Sequence, residues 1–140
     1  MDKQKLYEII DQKAPLLTEL SDKIWEYAEL SMLEYKSTAA YVQVLNEEGF
    51  EVTENLCNIP TAFSGSFGSG KPVIGILGEY DALSGLSQVA GATEKMPLEE
   101  NGCGQGCGHN LLGAGALGAA IAIKEAIKAG ELSGTVIFYG

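Results

Sequence analysis

Apolar residues at positions 6, 9, 10, 16, 17, 20, 24 and 25 (Leu6, Ile9, Ile10, Leu16, Leu17, Leu20, Ile24, Trp25) recur at three- and four-residue steps, which predicts helix over the first thirty or so residues. Pro15 either kinks this helix or opens a second segment. A second amphipathic helix is predicted from Ser37 to Glu48, with Ala40, Tyr41, Val44 and Leu45 on one side and Gly49 as a left-handed cap. From Phe50 the texture changes to short β-type runs, Phe50 to Val52, Thr61 to Phe67 and Val73 to Leu77, separated by Asn58-Ile59-Pro60 and Gly68-Ser69-Gly70. Residues 84 to 108 read as a loop of about 25 residues, a length that in a compact domain marks function or mobility. A helix from Asn110 to Ala129, rich in Gly and Ala, and a last strand from Thr135 to Tyr139 complete the pattern. This order predicts an α/β sandwich with at least some parallel strand pairing.

Composition narrows the functional classes. The 140 residues and 14.8 kDa suit one domain, and 46% hydrophobic with 20% charged residues is the make-up of a packed core. Nineteen acidic against nine basic residues leave a formal charge of −10, which repels nucleic-acid phosphate and anionic membrane surfaces. Neither nucleic acid nor a membrane is therefore an expected partner. The longest run free of charge and strong polarity, Leu111 to Ile123, falls short of the ~20 apolar residues of a membrane span. The N-terminus lacks the apolar stretch and cleavage site of a signal peptide. Three cysteines, Cys57, Cys103 and Cys107, are too few and too odd for a secreted disulfide scaffold, so a reducing, cytoplasmic setting is expected.

Three glycine-rich motifs compete for a chemical reading. Gly65 to Lys71 has P-loop glycine spacing, but Pro72 stands where a magnesium-binding hydroxyl is needed and a strand follows instead of a helix, so a hairpin turn is expected. Gly113-Ala114-Gly115-Ala116-Leu117-Gly118 matches the dinucleotide fingerprint, yet no strand precedes it and no carboxylate ends the next strand, which favours close helix packing. In the third, Cys107-Gly108-His109, thiolate and imidazole sit two residues apart at a loop entering a helix; both are good ligands for a zinc-like ion, and the glycines let the backbone fold around it. A structural site of Cys103, Cys107, His109 and Cys57 is the competing metal reading. Glu79 and Asp81 directly follow the Val73 to Leu77 strand, at the carboxyl end where α/β sheets carry their ligand crevice.

The stretches Gly78-Glu79-Tyr80-Asp81-Ala82-Leu83-Ser84-Gly85-Leu86-Ser87-Gln88 and Gly106-Cys107-Gly108-His109-Asn110-Leu111-Leu112-Gly113, with Glu29-Leu30-Ser31, Glu34, Lys36, Ser37 and Gly49 to Val52, resemble the M20 metallopeptidase and amidohydrolase family, in its branch of p-aminobenzoyl-glutamate and related N-acyl amino acid hydrolases. The resemblance implies a zinc-exopeptidase-like (phosphorylase/hydrolase-like) three-layer α/β sandwich that binds two divalent ions, zinc or manganese, and hydrolyses an amide beside a free carboxylate. It makes Cys107 and His109 metal ligands. It places Asp81 as an acid that orients the metal site and Glu79 at a position where other branches carry a metal-binding histidine. The ions would lower the pKa of a bound water and polarise the scissile carbonyl. The family commonly has His where this chain has Gln105 and Pro where it has Ser84, which predicts changed loop rigidity and hydrogen bonding around the ligands.

In the family, a strand like Thr135 to Tyr139 leads into a Glu-Glu pair, with further His ligands and a dimerisation domain beyond it. The expectation is therefore that residues 1–140 are the N-terminal portion of an M20 catalytic domain. Alone the chain would be inactive, with partial or no metal occupancy and an exposed sheet edge prone to self-association. The longer enzyme would act on a small N-acyl amino acid or dipeptide, as a homodimer or with a sister subunit. A non-enzymatic remnant with a weak metal site and a dinucleotide-binding half-domain are the alternatives.

Overall fold

The computed structural model describes residues 2–140. Its elements are α1 (Lys3–Tyr27), α2 (Tyr35–Glu47), β1 (Glu51–Glu54), a 3-10 turn (Leu56–Asn58), β2 (Phe63–Ser69), β3 (Val73–Leu77), α3 (His109–Lys128) and β4 (Gly134–Tyr139). The Asp2 side chain accepts a hydrogen bond from the Gln4 N–H at the start of α1, and Ala28 closes the helix in the left-handed conformation. Pro15 lies inside this single continuous helix, on its exposed side, so no second segment opens there. The missing N–H faces water, while Leu20, Ser21 and Ile24 bury the opposite face.

The four strands form one sheet in the order β1-β2-β4-β3, antiparallel at β1–β2 and β2–β4 and parallel at β3–β4. This corrects one sequence expectation. Gly68 and Ser69 are the last residues of β2, paired with Thr135 and Gly134, and the chain bends only at Gly70 and Lys71; β2 and β3 do not form a hairpin, because β4 lies between them. Gly68 and Gly70 take positive φ; a Cβ on Gly68 would lie 2.3 Å from the Gly134 carbonyl oxygen, so Gly68 serves the approach of β4, while Gly70 has open space around it and serves the bend.

The helices cover the sheet face that carries Phe63, Gly65, Val136 and Phe138, so of the three layers the resemblance implies, these residues build the sheet and one helical layer. The α/β class holds, with the expected parallel pair. At the centre, the Tyr41 ring of α2 stacks on Phe138 at 5.8 Å and packs against Tyr80 at 5.2 Å and Phe63 at 5.9 Å. Each such pair contributes about 0.5–1.5 kcal/mol beyond area burial. β3 ends the sheet with Leu77 75% exposed and Val73 and Ile74 half-exposed, an apolar run unusual for a parallel strand at an edge.

α3 has the length and apolarity of a membrane span by composition alone, but it packs as the central helix of the fold, with Leu117, Ala120, Ile121 and Ala126 fully buried. Two of its glycines, Gly113 and Gly118, act by close packing. A Cβ on Gly113 would lie 2.2 Å from the Tyr41 hydroxyl and 2.6 Å from the Glu79 carbonyl oxygen, and one on Gly118 would meet Leu17 at 2.9 Å. Gly115 faces open space.

One ionic network ties the three helices. Lys124 of α3 reaches the Glu48 carboxylate and carbonyl, both at 2.9 Å, and Glu125 at 2.7 Å, while Lys13 of α1 holds the other Glu48 oxygen at 2.6 Å. Burial works against the Glu48 charge, but the hydrogen bonds from Lys13 and Lys124 outweigh it and hold the carboxyl below its usual range. A folded-state pKa lowered in this way stabilises above the unfolded value of 4.5, and that contribution is lost as pH falls through the folded value.

Gly113→Ala is expected to cost about 1–3 kcal/mol by overpacking, whereas Gly115→Ala is expected to stabilise by up to about 1 kcal/mol through helix propensity; paired urea melts measure both. Lys124→Ala is expected to destabilise by about 3 kcal/mol near pH 7. That loss should shrink below pH 4 as Glu48 is protonated, read by denaturation at the two pH values.

Candidate metal centre

Beyond Leu77 the chain leaves the sheet without turning. The Gly78 N–H donates to the Tyr139 carbonyl at 2.8 Å, and the Ala82 N–H to the Glu29 carbonyl at 2.7 Å, so residues 78 to 82 remain extended between two neighbours. Extended backbone alternates its side chains. Tyr80 turns into the core, and Glu79 and Asp81 turn away from it together. Gly78 admits this path, since a Cβ there would strike the Phe138 ring at 2.5 Å.

α3 begins at the same level. Gly108, at φ 79°, turns the chain in the left-handed region so that His109 opens the helix with its imidazole over the β3 end. His109 Nδ1 lies 2.6 Å from an Asp81 carboxylate oxygen, and Nε2 lies 3.0 Å from Glu79 Oε2. Glu79, Asp81 and His109 each offer one ligand atom within 4.8 Å of the others. Glu79 is 62% exposed and His109 17%, so the group opens to solvent on the Glu79 side.

This donor set fits a divalent ion on its chemistry. Two carboxylates and an imidazole suit zinc or manganese, and an Asp81 carboxylate on Nδ1–H leaves Nε2 as the ligand nitrogen, a common arrangement behind metal-binding histidines. The helix N-terminus contributes partial positive charge close to the acids. Three of the four residues singled out in the sequence are thus brought together. The fourth, Cys107, sits exposed in the turn two residues before His109 and is not among the three. Cys57 is on the 3-10 turn after β1, and no group of donors joins it to Cys103 and Cys107 among the described residues.

The residues that hold the centre in place were less visible. Gln105 is buried; its amide donates to the Tyr80 carbonyl at 3.2 Å, and its carbonyl oxygen accepts from the Asn110 N–H at 3.2 Å. It therefore clamps the β3 end to the first turn of α3. A neutral glutamine supplies donor and acceptor at once, which an ionised carboxylate or an ammonium does not. Asn110 continues the clamp to α1 through the Ser21 hydroxyl at 3.0 Å.

Glu29 caps α2 from outside, accepting from the Lys36 and Ser37 N–H groups at 3.0 and 2.8 Å and from the Ser37 hydroxyl at 2.8 Å. Glu34, at the formal cap position, is only 7% exposed and has one carboxylate oxygen buried without a hydrogen-bond partner. The Tyr80 hydroxyl donates to the Thr61 carbonyl and contacts Thr38, and burial pushes its phenol up to about 12, so it stays protonated as a fixed strut under the acids.

No family model matches the chain. A relative from Escherichia coli strain K12, one of the subunits of p-aminobenzoyl-glutamate hydrolase, is 45% identical over 141 aligned positions covering 98% of this chain. The chain spans 29% of that relative's length. A crystal structure of a dinuclear metal-binding peptidase of the M20 family from Bacillus subtilis matches 89% of the chain and 34% of its own, with TM-score 0.73 and 25% identity. An aminohydrolase from methicillin-resistant Staphylococcus aureus matches 99% of the chain and 34% of its own, with TM-score 0.78; at 23% identity that likeness speaks to fold alone.

Gln105→Leu is expected to leave the Tyr80 carbonyl and Asn110 N–H without partners and to cost about 2–3 kcal/mol, measured by urea unfolding, while Gln105→Ala with room for water should cost less.

Proposed function

From the likeness to a p-aminobenzoyl-glutamate hydrolase subunit and to a peptidase of the M20 family we propose that the metal centre of this chain serves the hydrolysis of an amide bond. The observation that carries this reading is the convergence of Glu79, Asp81 and His109 at the joint of β3 and α3. In this reading His109 Nε2 and Cys107 are ligands. Asp81 accepts the Nδ1–H bond and fixes the ring, and Glu79 stands against Nε2 as a further donor. A divalent ion bound there would supply an acidified water and a polarised carbonyl.

The substrate class we propose is an N-acyl amino acid of the p-aminobenzoyl-glutamate kind, as the name of the 45% identical relative suggests. Glu79, Asp81 and His109 form one group of donors with Cys107 exposed in the turn before it, too few for two ions, and this reading assigns none of them to take a proton from the attacking water. Hydrolysis accordingly depends on groups outside these residues, which belong to a longer chain or to a sister subunit. The 140-residue chain by itself is inactive and at most partly loaded with metal.

Equilibrium dialysis with manganese and zinc tests the centre. One ion per chain is expected, weakened about 10- to 100-fold by His109→Ala and Asp81→Asn and also reduced by Cys107→Ser, with no release of p-aminobenzoate from p-aminobenzoyl-glutamate. Metal binding unchanged in His109→Ala would favour a non-enzymatic remnant, and hydrolysis by the metal-loaded chain would overturn the dependence on outside groups.

A further inference from the structure

Between the last turn of α1 and the long loop after β3 lies a cavity of about 530 Å³, lined by Trp25, Leu86, Val89, Leu98 and Cys103 among others. None of Glu79, Asp81 and His109 lines it. Its size is that of an ordinary small-molecule site, for which the range is about 300–1,000 Å³.

The loop that forms its wall is built and not slack. The Ser87 N–H donates to the Gly102 carbonyl at 3.0 Å, the Glu99 N–H to the Ser87 hydroxyl at 3.1 Å, and the Gln88 amide spans Met96 N–H and the Glu94 carbonyl at 3.0 and 2.8 Å. Gln105 is spent on Tyr80 and Asn110. With these polar side chains engaged within the protein, the wall offers a guest apolar and polar surface in similar measure, with an indole and one thiol. Charge at the wall has one sign. Glu26 and Glu99 line the cavity and no lysine or arginine does; Lys36, 5.9 Å from the Tyr27 ring centre, and Lys95, in the wall-forming loop, stand outside the lining.

We infer that this cavity is a binding site, separate from the metal centre, for a small organic cation with an aromatic or apolar body, such as an arylalkylamine. The apolar part of the wall takes the body, and the Trp25 ring and the two carboxylates favour the ammonium. The N-acyl amino acids proposed for the metal centre carry the opposite charge, so the two sites select different compounds.

Trp25 is the sole tryptophan, and its emission reports directly on occupancy. Phenethylamine, titrated into the 140-residue chain, is expected to shift that emission saturably and to slow iodoacetamide alkylation of Cys103 several-fold, mapped by peptide mass, while the exposed Cys57 reacts at its usual rate. Phenylacetate, of the same shape and opposite charge, is expected to do neither. Glu99→Gln should weaken amine binding about threefold, the scale of one exposed ion pair. Absence of a saturable response to the amine, an equal response to phenylacetate, or equal protection of Cys57 would each overturn the inference, and the unsubstituted protein alone suffices to decide it.

Discussion

There is no room for a side chain where α3 crosses the end of β3. At Gly113 a Cβ would collide with the Tyr41 hydroxyl and the Glu79 carbonyl oxygen, and at Gly78 one would collide with the Phe138 ring. This close approach brings the first turn of a helix to the level of a strand end, and everything chemical about the molecule follows from it. His109 can reach Asp81 and Glu79 only because two backbones meet with nothing between them. The cost is conformational, since each glycine weakens the element that holds it by about 0.5–1 kcal/mol relative to alanine. The aromatic cluster of Tyr41, Phe63, Tyr80 and Phe138 beneath the joint offsets that cost.

Polar groups around the joint divide into those that fix and those that remain available. Gln105, Asn110, Glu29 and Tyr80 spend their hydrogen bonds on backbone or hydroxyl groups, and they register α1, α2, α3 and β3 against one another. Glu79 and Cys107 remain open to solvent. The buried Lys124–Glu48–Lys13 network does the same fixing at the far end of the helices, where no chemistry is needed. A scaffold pinned at both ends leaves the exposed groups few positions to sample, which is what a ligand set requires.

Local chemistry was largely legible in the sequence. The β3 run appears at Val73–Leu77 as read, and α3 begins one residue before the periodicity suggested, because Gly108 in the left-handed region, and not Asn110, turns the chain into the helix. Asp81 and His109 stood out as acid and imidazole at a strand end and a helix start, positions that sequence order alone defines. Gln105 was visible as a departure from a family pattern, but its two hydrogen bonds join residues 25 and 5 positions away, and no local signal encodes that pairing.

Strand order was decided by the tertiary structure. Turn chemistry at Gly68–Ser69–Gly70 is equally compatible with a hairpin, yet β4, arriving from the far end of the chain, takes the place beside both β2 and β3. Hydrophobic alternation says which face a strand buries and says nothing of its neighbour. The same holds for the cavity beside α1, which exists only because the loop folds back on the Trp25 turn. Residue types and their spacing thus determined the elements and the donors, since those depend on side chains within a turn or two. Which donors meet, and what space they leave, was decided by the packing of elements far apart in sequence, where shape and backbone approach govern and no short pattern records the outcome.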